Sequence, residues 1–384
     1  MNKLQTLIYF SLLIFIFSCG NDTTEINENT DDTANPTVVI AEKPASTELI
    51  ANIDYLRLRD SPGTSGETLA MFQKGEVLYD LGEVSDFTTA VELRGIKYNE
   101  PWLKVKTREG QEGWIYAGGV YFNSEEASDT MEKLYQKRLT SFYGEDVADD
   151  ILDYQMSFRK ARTDKDMQTV IRKGTEITNE VNDMNEKKMP MPRDMFGGKE
   201  QPDLRWLEEA FPGYILGSAA EGTILFLRRD LKSFARKAGK TRGKADDDFV
   251  NLAIKVHSTD SIEYDFPAYF MQTWDYGGHS LLGEGKHLDI LTAANEMLAK
   301  HPGYLEVEIE QIKADLVHDM TASPQGYWYD KERILSELDK VLKAELGILT
   351  KEDMIALQEQ RKKLENPVKS GVQVGLRSGI GDAG

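Results

Sequence analysis

The sequence predicts a two-part fold, a small all-β barrel followed by a mainly α-helical region. Short runs that alternate apolar and polar residues fill residues 48–123, separated by turns carrying Gly and Pro. From residue 124 onward the apolar residues recur at the helical period instead, as Val147, Ile151, Tyr154 and Phe158 do at i, i+4, i+7 and i+11. Ahead of both lies an acidic stretch with too few large apolar residues to bury a core.

Within the β part, Leu56-Arg57-Leu58-Arg59 alternates strictly, and Asp60-Ser61-Pro62-Gly63 supplies turn chemistry after it. A second strand is expected over residues 69–72, followed by the Lys74-Gly75-Glu76 turn and a strand over Val77-Leu78-Tyr79. Trp102-Leu103-Lys104-Val105 and Gly113-Trp114-Ile115-Tyr116 flank a turn at Glu109-Gly110. Strands this short at this spacing point to a small barrel. The interval 84–101 is long enough for an extra hairpin, through residues 89–93 and 96–98.

The segments LRLRDSPG, QKGEVL and WLKVKTREGQEGWIY together resemble the bacterial SH3-like domain, over about 75 residues. That resemblance implies a barrel that recognises a cell-wall peptide or protein segment. The long 84–101 connection departs from the family pattern, at a place that shapes the ligand groove. Tyr79, Trp102, Trp114 and Tyr116 are the aromatic candidates for that groove, with Tyr55 beside them. The competing expectation is that these large side chains fill the barrel, divided between core and surface by the pleat.

In the helical part, Ser124 followed by Glu125 and Glu126 is a helix start, and Gly144 a stop. Asp164 caps a helix whose apolar stripe is Met167, Val170, Ile171, Ile177, Val181 and Met184. Met189-Pro190-Met191-Pro192 and Gly197-Gly198 mark a boundary between helical subdomains. Further helices are expected over residues 203–211, 219–238, 246–256, 261–274, 286–300, 304–320, 330–346 and 350–364, with no fixed-period repeat among them. The organisation that results is a signal over 1–18, a disordered acidic tether over 19–47, the barrel over 48–123, helical subdomains over 124–189 and 199–365, and a disordered tail over 366–384.

The N-terminus supplies an address. Lys3, the apolar stretch 7–17 and Ser18 form the three parts of an export signal, immediately before Cys19, the single cysteine of the 384 residues. Eleven residues of helix rise about 16 Å, short of the roughly 30 Å hydrocarbon core. The arrangement Ile16-Phe17-Ser18-Cys19 resembles the lipobox of bacterial lipoproteins, with Phe17 as its departure. The resemblance implies an acylated Cys19 and a lipid bilayer as partner. Gly20 in place of aspartate implies the outer membrane, on either its periplasmic or its surface face. The acidic run Asp22, Glu25, Glu28, Asp31 and Asp32 reads as a surface-export signal or as a solvated tether. With its one thiol acylated, the chain forms no internal disulfide and has no thiolate, which excludes a Cys-His peptidase.

A formal charge of −19 argues against nucleic acid as a partner of the bulk surface. One basic segment stands against it: Arg228, Arg229, Lys232, Arg236, Lys237 and Lys240, continuing to Arg242 and Lys244. It reads as a solvated helix face or as a patch for an anionic partner. No cofactor is expected. Gly239-Lys240-Thr241 lacks the first glycine of a phosphate loop, and His279, His287 and Asp289 match no metal-ligand spacing. Gly278-His279-Ser280-Leu281-Leu282-Gly283 misplaces the second glycine of a nucleophile elbow. Two functional classes stay open: a non-enzymatic binding or scaffold lipoprotein, and an envelope-polymer hydrolase working through carboxylates of the helical part.

Overall fold

The computed structural model describes residues 47–93, 96–123, 128–188, 204–219, 224–257, 266–273, 277–322 and 326–377. The signal, Cys19, nearly all of the tether, the expected helix start at Ser124 and the boundary at 189–198 lie outside them. An antiparallel β region comes first and a mainly helical region follows.

The β region comprises β1 (Glu48–Ala51), β2 (Leu56–Arg59), β3 (Thr68–Phe72), β4 (Val77–Val84), β5 (Thr89–Leu93), β6 (Ile96–Glu100), β7 (Trp102–Lys106), β8 (Glu112–Tyr116) and β9 (Val120–Phe122). Seven of these form one sheet in the order β3-β2-β8-β7-β4-β1-β9, while β5 and β6 pair only with each other. Period 2 does its expected work in β2, where Leu56 and Leu58 are buried while Arg57 and Arg59 turn outward. The extra hairpin forms as read, with Thr89 opposite Glu100 and Leu93 opposite Ile96.

The expectation of a closed barrel needs correction, because no described pairing joins β3 to β9. A helix covers the inner face instead. Leu134 of α1 (Asp129–Tyr143) packs into the same cluster as Leu49, Leu78, Leu103 and Ile115. Arg138, one turn further on, forms a nearly buried ion pair with Glu100 at the end of β6.

The helical region continues with α2 (Glu145–Lys160), α3 (Asp164–Lys188) and α4 (Trp206–Ala210), then the ribbon β10 (Tyr214–Ala219) and β11 (Ile224–Arg229). After it come α5 (Leu231–Ala238), α6 (Ala245–Val256), the short pair β12 (Phe270–Gln272) and β13 (Gly278–Ser280), and α7 (Lys286–Lys300). The last elements are α8 (Glu306–Ala322), α9 (Lys331–Lys343), α10 (Lys351–Glu365) and α11 (Pro367–Ser370). One hydrophobic cluster runs from Met131 to Leu364, so α1–α3 share a core with everything after them.

Three expectations change here. The helix read over 219–238 is a strand and then a helix: β11 takes Ile224–Arg229, and Asp230 restarts the chain by accepting the Lys232 N–H as an N-cap. Of the helix read over 261–274, the described residues 270–272 are strand β12. The described part of the expected disordered tail, residues 366–377, is ordered. Asn366 caps α11, and the chain then returns along residues 327–329, with Gln373 accepting from the Tyr327 N–H and Gly375 donating to the Tyr329 carbonyl.

A buried polar node locks the later helices together. The Glu337 carboxylate, on α9, accepts the N–H groups of Gly283 (2.6 Å), Gly285 (2.8 Å) and Leu288 (3.2 Å). Gly285 has no side chain to cap α7, so a carboxylate from another helix satisfies the orphan donors and sits at the positive end of the dipole. Gly283 must be glycine: φ is +108°, and a Cβ would meet the Arg333 backbone at 3.2 Å. Beside it His287 is fully buried, with Nε2 2.7 Å from Asp319 on α8, and Ser280 of β13 donates to the same carboxylate oxygen.

Replacing Glu337 by Ala strands three N–H groups in the interior. A loss of about 3 kcal/mol or more in urea unfolding is expected, with Glu337→Gln losing less because one carbonyl remains.

Several carboxylates are held below their ordinary range. The bonds to Lys300 and His301 depress Asp248, and Arg361 depresses Asp339. Burial pushes Asp353 up, but the Thr350 N–H and the Lys313 ammonium outweigh it and leave it depressed. Such groups contribute stability above the unfolded value of about 3.9 and lose it as pH falls through their folded values. Urea midpoints should therefore drop as pH falls below about 4, and Asp353→Asn should make that drop shallower.

Candidate functional site

The four aromatic candidates of the β region share one face of the sheet. Cross-strand register sets Tyr79 opposite Lys106, Trp114 opposite Lys104 and Tyr116 opposite Trp102. The β5–β6 hairpin folds over one end of this face. Trp102 and Tyr116 are consequently buried, with rings edge-on at 5.4 Å. Trp102 Nε1 donates to the Thr89 hydroxyl at 2.9 Å. The Tyr116 hydroxyl lies 2.7 Å from the Thr89 carbonyl and 3.0 Å from that of Tyr98, and it accepts the Glu100 N–H at 3.1 Å. Burial pushes the Tyr116 phenol well above its ordinary range. Both residues anchor the inserted hairpin, and their burial agrees with the packing expectation rather than with the groove. Tyr79 and Trp114 stay half-buried on the uncovered part.

The basic segment does not form one patch. Lys232, Arg236 and Lys240 are exposed, with Arg236 3.8 Å from Asp230. Lys237 is tied down: its ammonium donates to the Arg159 carbonyl at 3.1 Å, at the end of α2, and lies 5.5 Å from the Phe158 ring centroid. Burial lowers the Lys237 pKa, and the charges of Arg162 and Lys240 lower it further. Arg228 and Arg229 belong to β11 and border a cleft instead.

That cleft, about 400 Å³, lies between the ribbon, α3 and the C-terminal end of α6. Its geometry follows from a strand edge. A two-stranded ribbon leaves the outer N–H and C=O groups of β11 without a ladder partner. The Asn182 amide on α3 takes both at Leu227, accepting the N–H at 2.7 Å and donating to the carbonyl at 3.0 Å. Strand alternation sends the Arg229 N–H, two residues on, to the same edge. Arg229 stands directly opposite Tyr214 in register, so both side chains occupy one face of the ribbon, and the guanidinium donates to the Thr175 hydroxyl on α3.

Tyr214 is 2% exposed and stacks on Phe211 at 4.4 Å. Its hydroxyl reaches α3 where Gly174 lacks a side chain; a Cβ there would sit 2.6 Å from the phenolic oxygen. That hydroxyl is buried and has no hydrogen-bond partner among the described residues. No Asp or Glu lines the cleft among the described residues, although the chain as a whole carries −19.

The histidine-bearing segment resolves differently. His279 stacks on Trp328, His287 belongs to the buried node, and Asp289 pairs with Lys255 at 2.6 Å, so the three do not converge. Among the described residues no group of three or more His, Cys, Asp or Glu side chains is placed to hold a metal. Ser280 is fully buried and bonded to Asp319 rather than to His287, an order unlike a nucleophile activated by its base.

Comparison with protein-family models, with curated proteins and with solved structures found no match.

Tyr116→Phe removes the hydroxyl that ties the hairpin to the sheet. A loss of about 1–3 kcal/mol is expected in urea unfolding, together with faster amide exchange across residues 89–100. A Tyr116 that served a groove would leave both unchanged.

Proposed function

We propose that this chain is a lipid-anchored binding protein of the cell envelope, attached to the outer membrane through acylated Cys19. Its β region, which resembles an SH3-like domain in its sequence motifs, recognises a cell-wall peptide or protein segment, and its helical region binds a ligand in the cleft beside α3. The observation that carries the reading is the lining of that cleft, with a guanidinium, hydroxyls and amides but no described carboxylate.

The same observation weighs against the hydrolase alternative. Hydrolysis of glycosidic bonds uses two carboxyl groups facing each other across the substrate, roughly 5–9.5 Å apart. Burial does push Asp246 up, but that carboxylate accepts from Thr241 at the start of α6 and lies outside the cleft. Among the described residues no helix is long and apolar enough to cross a bilayer, and in this reading the acyl chains of Cys19 do the anchoring.

Mass spectrometry of the mature protein is expected to find acyl groups on Cys19, and fractionation to place the protein with the envelope. Incubation with cell-wall sacculi is expected to give co-sedimentation without soluble fragments. An unmodified Cys19 in a freely soluble product would remove the anchor from this account. Released fragments would replace binding by hydrolysis.

A further inference from the structure

The geometry points to an oxyanion, the carboxylate or phosphate group of a compact ligand, seated in the α3–β11 cleft between the Arg229 guanidinium and the Tyr214 hydroxyl. The inference rests on the binding reading above and specifies its ligand.

The Tyr214 hydroxyl is the first observation. A buried polar atom without a partner is costly, and native structures rarely keep one without a use. Here the residue is 98% buried, its hydroxyl makes no hydrogen bond to a described residue, and it lines the cleft. An anionic oxygen is the acceptor that rewards such a donor most, because bonds to charged groups are about twice as strong as neutral ones.

Arg229 is the second. It faces the same side as Tyr214 by register, and the Thr175 hydroxyl engages one of its terminal nitrogens, which fixes the plane of the fork. An arginine carries five N–H donors in that plane, a geometry suited to carboxylate and phosphate oxygens. The Arg229 main-chain N–H points to the same edge of the strand. No described carboxylate borders the cleft, so among the described residues no internal counter-ion competes for the guanidinium. At about 400 Å³ the space matches a small molecule or the end of a larger one.

The test is isothermal titration of the full-length chain in detergent, at fixed ionic strength, with inorganic phosphate in one arm and succinate in the other. Saturable binding is expected in at least one arm, and the arm identifies the oxyanion. Tyr214→Phe should weaken binding about tenfold while the melting temperature stays level or rises, since the lost hydroxyl leaves nothing unpaired. Arg229→Gln should weaken it further, and Arg236→Gln, outside the cleft, should not change it. No saturable binding in either arm would overturn the proposal, as would binding that Tyr214→Phe leaves unchanged. Acylation of Cys19 and sacculus binding are read independently, so a failure there leaves this result standing and the converse also holds.

Discussion

The amide of Asn182 closing the outer edge of β11 is the interaction on which the helical region's cleft depends. A two-stranded ribbon is marginal by itself, and its free edge invites pairing with another chain. By occupying both main-chain groups of Leu227, Asn182 seats the ribbon against α3 in a single register. Register in turn decides which side chains face the helix. With Tyr214 opposite Arg229, a slip of one residue would turn both away from α3 and present Ile215 and Arg228 instead.

A related constraint joins the two regions. The sheet is not completed by its own strands; α1 covers it, through Leu134 within the β core and Arg138 paired to Glu100. Such a pair tolerates poorly the loss of either partner, because the survivor is left charged and buried. The β region is therefore no bead on a string. Motion of α1 is felt by β6, and through Glu100 by the Tyr116 hub beneath the inserted hairpin.

Legibility followed the range of the interactions. β2 and the inserted hairpin were readable because alternation and turn residues are local signals. The helix expected over 286–300 has the bounds observed for α7, since its apolar period and its preceding glycines lie within a few residues of each other. β11 was misread because Ile224, Leu225, Phe226 and Leu227 form a short apolar run in which strand and helix periods coincide, and the lysines after it extend a helical pattern. Of the candidate cleft, Arg228 and Arg229 stood out by charge alone. Tyr214 and Asn182 did not, because Asn182 meets β11 across 45 residues of sequence and nothing local announces that contact. For Trp102 and Tyr116 the two expectations stay level in the sequence for a kindred reason: it reports aromatic identity but not the hairpin that comes to lie on top of it.

The return of residues 373–377 along residues 327–329 fastens the segment after α11 back onto the helical region. Tyr327 also anchors Gln360 and the Met320 carbonyl, so this returning segment rests on a junction of α8 and α10. Detaching residues 373–377 would therefore loosen the junction of α8 and α10 as well as the segment itself.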